Sequence, residues 1–70
     1  MTDTALLKEK VEESGLKSKF IYEKLGISKG SWYNKLKGRS PFKAYEIETL
    51  CTLLHISSLK EKRQIFFADM

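Results

Sequence analysis

Basic residues are concentrated in the middle of the chain, and this concentration predicts the binding of a polyanion. Residues 17–43 contain eight basic residues and a single acidic one, Glu23. The rest of the chain carries five basic and eight acidic residues, and the formal net charge of the whole is +4. A basic surface between acidic ends is typical of proteins that meet phosphates. The alternative is an ordinary solvated helix face, because lysine is a common surface residue.

Within the basic segment, residues 29–37 combine small, polar and basic side chains that suit contact with a nucleic acid. On a helix, Trp32 and Leu36 share one side, and we expect both to pack in a core rather than stack on bases. The opposite side carries Gly30, Ser31, Asn34 and Lys37. Lysine can donate to guanine and asparagine can pair with adenine in the major groove. Lys29, Tyr33 and Lys35 lie on the flanks, and Tyr33 is either a groove contact or a half-buried residue.

Catalysis and metal binding have little support. Cys51 and His55 are four residues apart, which suits a metal, but two ligands do not make a zinc site and the chain has no other Cys or His. We interpret them as a buried cysteine and a histidine near a helix end. The glycines lack the spacing of a phosphate loop or a dinucleotide fingerprint. We therefore expect no enzyme, cofactor, metal or small-molecule substrate.

Length and composition predict one small domain. With 70 residues, 41% of them hydrophobic and 31% charged, the chain suits a single compact core. One cysteine excludes an intrachain disulfide and fits a reducing compartment. No apolar run approaches the ~20 residues of a membrane span, and the first residues lack the pattern of a secretion signal. We expect a cytoplasmic protein without a membrane partner.

Apolar periodicity and capping residues predict an all-α bundle of five short helices in one domain, residues 1–70. The helices are expected at residues 4–14, 19–25, 29–37 and 44–54 and from 59 onward. Ser18, Ser28 and Ser58 are the expected N-caps of the second, third and fifth helices. The apolar residues 65–68 either finish the fifth helix or are extended.

Residues 18–38 have the pattern of a helix-turn-helix. Gly26 can take the positive φ of the corner, Leu25 and Ile27 can pack in the core, and Ser28 can cap the following helix. This stretch contains the sequence KFIYEKLGISKGSWYNKLKG, which resembles the helix-turn-helix of the phage repressor/Cro-type (Xre-like) family. The following RSPFKAYEIETL looks like the fourth helix of small phage or prophage regulators, and the resemblance spans about residues 7–58.

The resemblance implies a lambda-repressor-like fold and a transcriptional regulator, such as a repressor, that binds double-stranded DNA sequence-specifically through residues 29–37. It implies base contacts from Lys29, Gly30, Ser31, Tyr33 and Asn34. Backbone phosphate contacts are expected from Lys17, Ser18, Lys19, Ser28, Lys35, Lys37, Arg39 and Lys43. Two positions depart from the family pattern. Tyr22 stands where a small residue is usual, and Lys35 stands where many members have an aliphatic one, so the resemblance does not define the rotation of the third helix.

The C-terminal segment, residues 56–70, carries more large apolar residues than a domain of this size can readily bury. As an exposed patch it would pair two copies, whose helices could then contact half-sites ~34 Å apart. The expected dimer residues are Ile56, Leu59, Ile65, Phe66 and Phe67. Alternatively, the two phenylalanines close the core against the first helix.

Two other functions remain compatible with the sequence. A protein-interaction module of the same fold, antitoxin-like or an anti-repressor adapter, would use the apolar tail together with Trp32 and Tyr33. A third possibility is RNA binding through the basic face. Strong salt dependence of binding would favour a nucleic acid, because binding then releases counterions from phosphates.

Overall fold

Five α-helices and no β-strand make up residues 1–68, which are the residues described by a computed structural model of the chain. The helices are α1 (Thr4–Ser14), α2 (Ser18–Leu25), α3 (Lys29–Leu36), α4 (Ala44–Leu53) and α5 (Leu59–Phe66). The predicted all-α class is therefore confirmed. Residues 69 and 70, the end of the predicted dimerisation segment, lie outside the described residues. No helix in residues 1–68 is long and apolar enough to cross a membrane.

Three of the five helices in residues 1–68 begin at a side-chain cap, and the predicted caps Ser28 and Ser58 are confirmed. Side-chain oxygens of Asp3, Ser28 and Ser58 accept the backbone N–H three residues later, at 3.0, 3.1 and 3.3 Å. The prediction for α2 is wrong by one residue, because Lys17 is the N-cap and Ser18 is already helical. The predicted ends of α3 and α4 are each one residue too long.

Helices α2, α3 and α4 end in the same way, with one residue in the left-handed region. Gly26 (φ 73°) and Gly38 (φ 81°) occupy this position after α2 and α3, and His55 (φ 57°) occupies it after α4. After α2 and α4 the next residue donates its N–H back across the last turn, Ile27 to Tyr22 and Ile56 to Cys51. Such a position suits glycine, because a side chain there is strained.

One apolar core joins all five helices. Trp32, which is fully buried, meets the edge of Phe42 at 6.2 Å between ring centroids, and Phe42 meets Phe66 at 5.8 Å. Helix α1 packs on α3 and α5, and α2 packs on α3 and α4. The buried apolar residues are Leu7, Ile21, Leu25, Trp32, Leu36, Phe42, Ile47, Leu50, Cys51, Leu54, Ile56, Ile65 and Phe66.

The C-terminal segment belongs largely to this core. Ile56, Ile65 and Phe66 are buried, so the prediction that they form a dimer interface is wrong. The backbone ties the segment to the start of the chain, since the Asp3 N–H donates to the Ile65 carbonyl at 2.6 Å. Leu59 and Phe67 remain exposed. Helix α5 ends at Phe66, so the first two of the apolar residues 65–68 complete the helix and close the core.

Candidate nucleic-acid interface

Helix α3 presents one polar side to solvent because its other side packs in the core. Trp32 and Leu36 are buried, which confirms their predicted core role. Of the predicted base-contact residues, Lys29, Gly30 and Asn34 are exposed on the outer side. The remaining two, Ser31 and Tyr33, are half-buried on its flanks. The structure thus brings the five residues around one accessible face of α3.

A short turn holds α2 and α3 together. Leu25 is buried and Ile27 is half-buried against the core, on either side of Gly26. Tyr22 occupies a position where the family that the sequence resembles usually has a small residue. Its side chain lies half-buried at the edge of the core. Its bulk is accommodated at this edge while α2 still packs against both α3 and α4.

The start of α2 lacks a side-chain cap. Lys17 at the N-cap makes no capping hydrogen bond through its side chain. The first amides of a helix have no partner within the helix and carry a partial positive charge. Lys17 and Lys19 are exposed and Ser18 is half-exposed at this end. Amides and ammonium groups together suit a phosphate.

Ser28 begins α3 and has a second hydrogen-bonding capacity. Its Oγ accepts the Ser31 N–H, and its own hydroxyl hydrogen is still able to donate. The side chain is exposed. It can therefore cap α3 and contact a phosphate at the same time.

Exposed cations continue past α3 into the loop before α4. Lys37, Arg39 and Lys43 are exposed, and within residues 1–68 none of them forms an ion pair. The Lys24 ammonium lies 5.5 Å from the centre of the Phe20 ring, a contact that leaves its charge in place. Among residues 1–68, the three exposed cations Lys37, Arg39 and Lys43 are therefore not held in salt bridges.

Lys35 is the exception, and its predicted phosphate contact is wrong. Its side chain is turned inward and only 9% exposed. The ammonium donates to both carboxylate oxygens of Glu46, with Nζ–Oε1 and Nζ–Oε2 distances of 2.5 and 2.7 Å. A charge held in this way is not available to DNA.

Glu46 joins this ion pair to the start of α4. Its Oε1 also accepts the Lys43 backbone N–H at 2.7 Å. Burial alone raises the pKa of the Glu46 carboxyl, but the hydrogen bonds from Lys35 and Lys43 and their positive charges outweigh it. The pKa of Glu46 therefore lies below its usual value, and this carboxyl is ionised at neutral pH.

Sequence reasoning missed this buried pair, although two signals pointed to it. Many members of the family that the sequence resembles have an aliphatic residue at the position of Lys35. An aliphatic residue on a helix commonly faces the core. Glu46 stands three residues after the N-cap of α4, where a glutamate commonly bonds back to the cap amide.

Cys51 and His55 lie in different environments. Cys51 is buried in the apolar stripe of α4, as predicted, and burial raises the pKa of its thiol. His55 is exposed at the end of that helix.

Comparisons with known proteins assign no family. No protein-family model matches the chain, and neither the curated proteins nor the solved structures contain a match. The proposed function therefore depends on the exposed side chains and charges around α3.

Proposed function

We propose that the protein is a sequence-specific double-stranded DNA-binding regulator of transcription, a repressor of the phage or prophage type that acts in a bacterial cytoplasm. Helix α3 contacts the major groove in this proposal. The observation that carries it is the exposed polar face of α3 beside Lys37, Arg39 and Lys43, which form no ion pair within residues 1–68. DNA supplies the missing negative charge, and the groove edges supply acceptors for Lys29 and Asn34.

Gly30 supports a close approach of DNA to the start of α3. A Cβ added at this residue would meet no protein atom within 4 Å, so packing does not require glycine there. Glycine in a helix costs about 0.5–1 kcal/mol relative to alanine. A ligand that lies against the backbone explains its presence.

Phosphate contacts in this proposal come from two places on either side of α3. The uncapped start of α2 contributes Lys17, Ser18 and Lys19. The end of α3 and the following loop contribute Lys37, Arg39 and Lys43. Phosphates bound at both places would fix the position of α3 in the groove.

The decisive experiment is selection from a randomised DNA duplex library at two salt concentrations. We expect enrichment of a defined motif and an affinity that falls steeply with salt. Salt-sensitive binding without enrichment would contradict sequence-specific regulation. Preference for structured RNA over duplex DNA would identify an RNA-binding protein instead.

Two variants separate base contacts from phosphate contacts. Asn34→Ala should relax base choice at one position, because a good base contact contributes about 1–3 kcal/mol of discrimination. Arg39→Ala should weaken binding to all DNA and reduce the salt slope by about one. Lys60→Ala, an exposed lysine on α5, removes the same charge as Arg39→Ala and should change neither property. Equal losses on specific and random DNA for Asn34→Ala would contradict the assignment.

We further propose that the regulator binds its site as a homodimer through the exposed part of the C-terminal segment. Leu59, Lys62, Arg63 and Phe67 line a groove of about 430 Å³ there. A motif with two-fold symmetry and a dimeric mass in sedimentation would support this arrangement. A monomer that binds a single half-site would contradict it.

The same groove favours the second candidate, a protein-interaction module. Leu59 is 69% exposed and Phe67 is 37% exposed, and apolar side chains grouped at a surface mark interaction sites. Absence of DNA binding even at low salt would favour this adapter function over the regulator.

A further inference from the structure

We propose that Lys35 and Glu46 are positioning residues, which set the rotation of α3 about its axis and thereby choose the side chains that α3 presents to DNA. This inference rests on the proposed function, because it concerns the base preference of the same face. Neither residue would touch DNA. Lys35 is turned away from the polar face and Glu46 is fully buried.

The geometry of the pair constrains α3 more strictly than an apolar contact would. Lys35 lies in the last turn of α3 and Glu46 in the first turn of α4. The Lys35 ammonium reaches both carboxylate oxygens, and one of these also accepts the Lys43 N–H. Hydrogen bonds depend steeply on distance and angle, whereas the hydrophobic effect is non-directional.

The ion pair also holds the flank of α3 that the apolar residues do not. At about 100° per residue, Lys35 lies about 60° to one side of Trp32, and Leu36 lies about 40° to the other side. Trp32 and Leu36 alone would hold one flank and the centre of the helix. The ion pair holds the second flank, on the side of Ser31, and thus opposes rotation in the other direction.

Stability alone does not account for a buried ion pair at this place. Removing two charges from water is costly, and apolar replacements of buried pairs are often neutral or stabilising. An aliphatic residue at position 35 would pack against α4 without that cost. The gain that remains is a defined geometry, because one carboxylate joins α3, the start of α4 and the loop that carries Arg39.

The test compares two double variants with the same change in composition. K35M/E46M replaces the buried pair, and K62M/E48M replaces the exposed pair between α5 and α4. Each removes one lysine and one glutamate, so the net charge is unchanged. For each variant we would measure the affinity for the selected duplex, the affinity for a random duplex, and the base preference in the library.

We expect K35M/E46M to lower the ratio of specific to random affinity at least tenfold and to broaden the base preference. Its affinity for random DNA and its salt slope should stay within twofold of the wild type, because Lys35 does not reach a phosphate. K62M/E48M should keep the ratio within twofold. A folded K35M/E46M with an unchanged ratio would overturn the inference, and so would an equal loss on both DNAs.

Glu46→Gln covers the case in which the double variant does not fold. Glutamine keeps the volume and an acceptor for the Lys43 N–H but removes the charge that holds Lys35. We expect the same broadened base preference from this variant. An unchanged preference would overturn the inference.

Failure of the proposed function can be told apart from failure of this inference. If the wild type enriches no motif, the DNA-binding proposal fails, and backbone chemical shifts then test the positioning. We expect K35M/E46M to shift the amides of Lys29, Gly30 and Tyr33, which lie at least 120° around α3 from Lys35 at about 100° per residue, and K62M/E48M to leave them unchanged. Unchanged amides at these three residues in a folded K35M/E46M would overturn the inference.

Discussion

The basic segment, residues 17–43, and the C-terminal segment, residues 56–68, contain similar residue types but expose different kinds of side chain. Both combine lysine and arginine with large apolar residues. In the basic segment Trp32 and Leu36 are buried in the core, and most cations are exposed and form no ion pair within residues 1–68. In the C-terminal segment the ion pairs Lys62–Glu48 and Lys10–Glu61 connect α5 to its neighbours.

The difference lies in what each segment leaves unsatisfied. The basic segment exposes positive charge, which suits the binding of a polyanion. The C-terminal segment exposes apolar side chains, Leu59 and Phe67, beside charges that are partly paired. A surface suited to DNA and a surface suited to protein therefore lie at different places on one small domain.

The largest expected effect tests how deeply the C-terminal segment enters the core. Phe66→Ala should destabilise the fold by about 4 kcal/mol, because it removes a buried ring that packs on Phe42. Phe67→Ala, the neighbouring and exposed ring, should cost less than about 1 kcal/mol. Urea denaturation of both variants measures the contrast. Equal losses would mean that the two rings have the same environment.

The next effect compares the buried ion pair with the exposed one. Glu46→Leu should cost about 3 kcal/mol, because it leaves the Lys35 ammonium buried without a partner and removes the acceptor for the Lys43 N–H. Glu48→Leu, which breaks the exposed pair with Lys62, should have a much smaller effect. Urea denaturation at neutral pH tests this, and a similar cost for both would refute the distinction.

Acidification should remove part of the same stabilisation. Because the pKa of Glu46 is lower in the folded protein than its usual 4.5, its contribution is complete above pH 4.5 and is lost as the pH falls through the folded-state value. The effect should be smaller than that of Glu46→Leu, since the side chain itself stays in place. Denaturation of the wild type and Glu46→Gln from pH 7 to pH 3 measures it. Their difference should shrink below pH 4.5, and a constant difference would count against the assignment.

The smallest effect concerns the helix ends, which are glycine in the basic segment and histidine after α4. His55→Gly should stabilise the fold by about 0.5–1 kcal/mol, because it relieves a side chain at φ 57°. Gly26→Ala at φ 73° should destabilise it by a similar amount. Thermal denaturation of both variants provides the check. A loss of stability in His55→Gly would indicate that the imidazole makes a compensating contact.

Local signals made most of the fold predictable. The α1 boundaries, the glycine at the corner and the caps at Ser28 and Ser58 each depend on a few neighbouring residues. The prediction of the start of α2 also used only such local signals, and it was wrong by one residue. Ser18 satisfies the local preference for an N-cap, yet Lys17 takes that position, and propensity does not distinguish two adjacent candidates.

The candidate site was less completely predictable. The outward position of Gly30 and Asn34 follows from helical periodicity together with the apolar side of α3. Periodicity placed Lys35 on a flank, where a lysine ordinarily reaches solvent. Its actual partner is eleven residues away in another helix, and no local pattern specifies such a contact.

The sequence by itself determined the number and kind of elements, the turn between α2 and α3, and the excess of positive charge in residues 17–43. These properties depend on residue type and on spacing within a helix turn or two. Only the tertiary structure decided that Lys35 neutralises Glu46 and that Phe66 fills the core while Phe67 does not. A charge or an apolar ring can find its partner inside the molecule or outside it, and the packing of distant helices makes that choice.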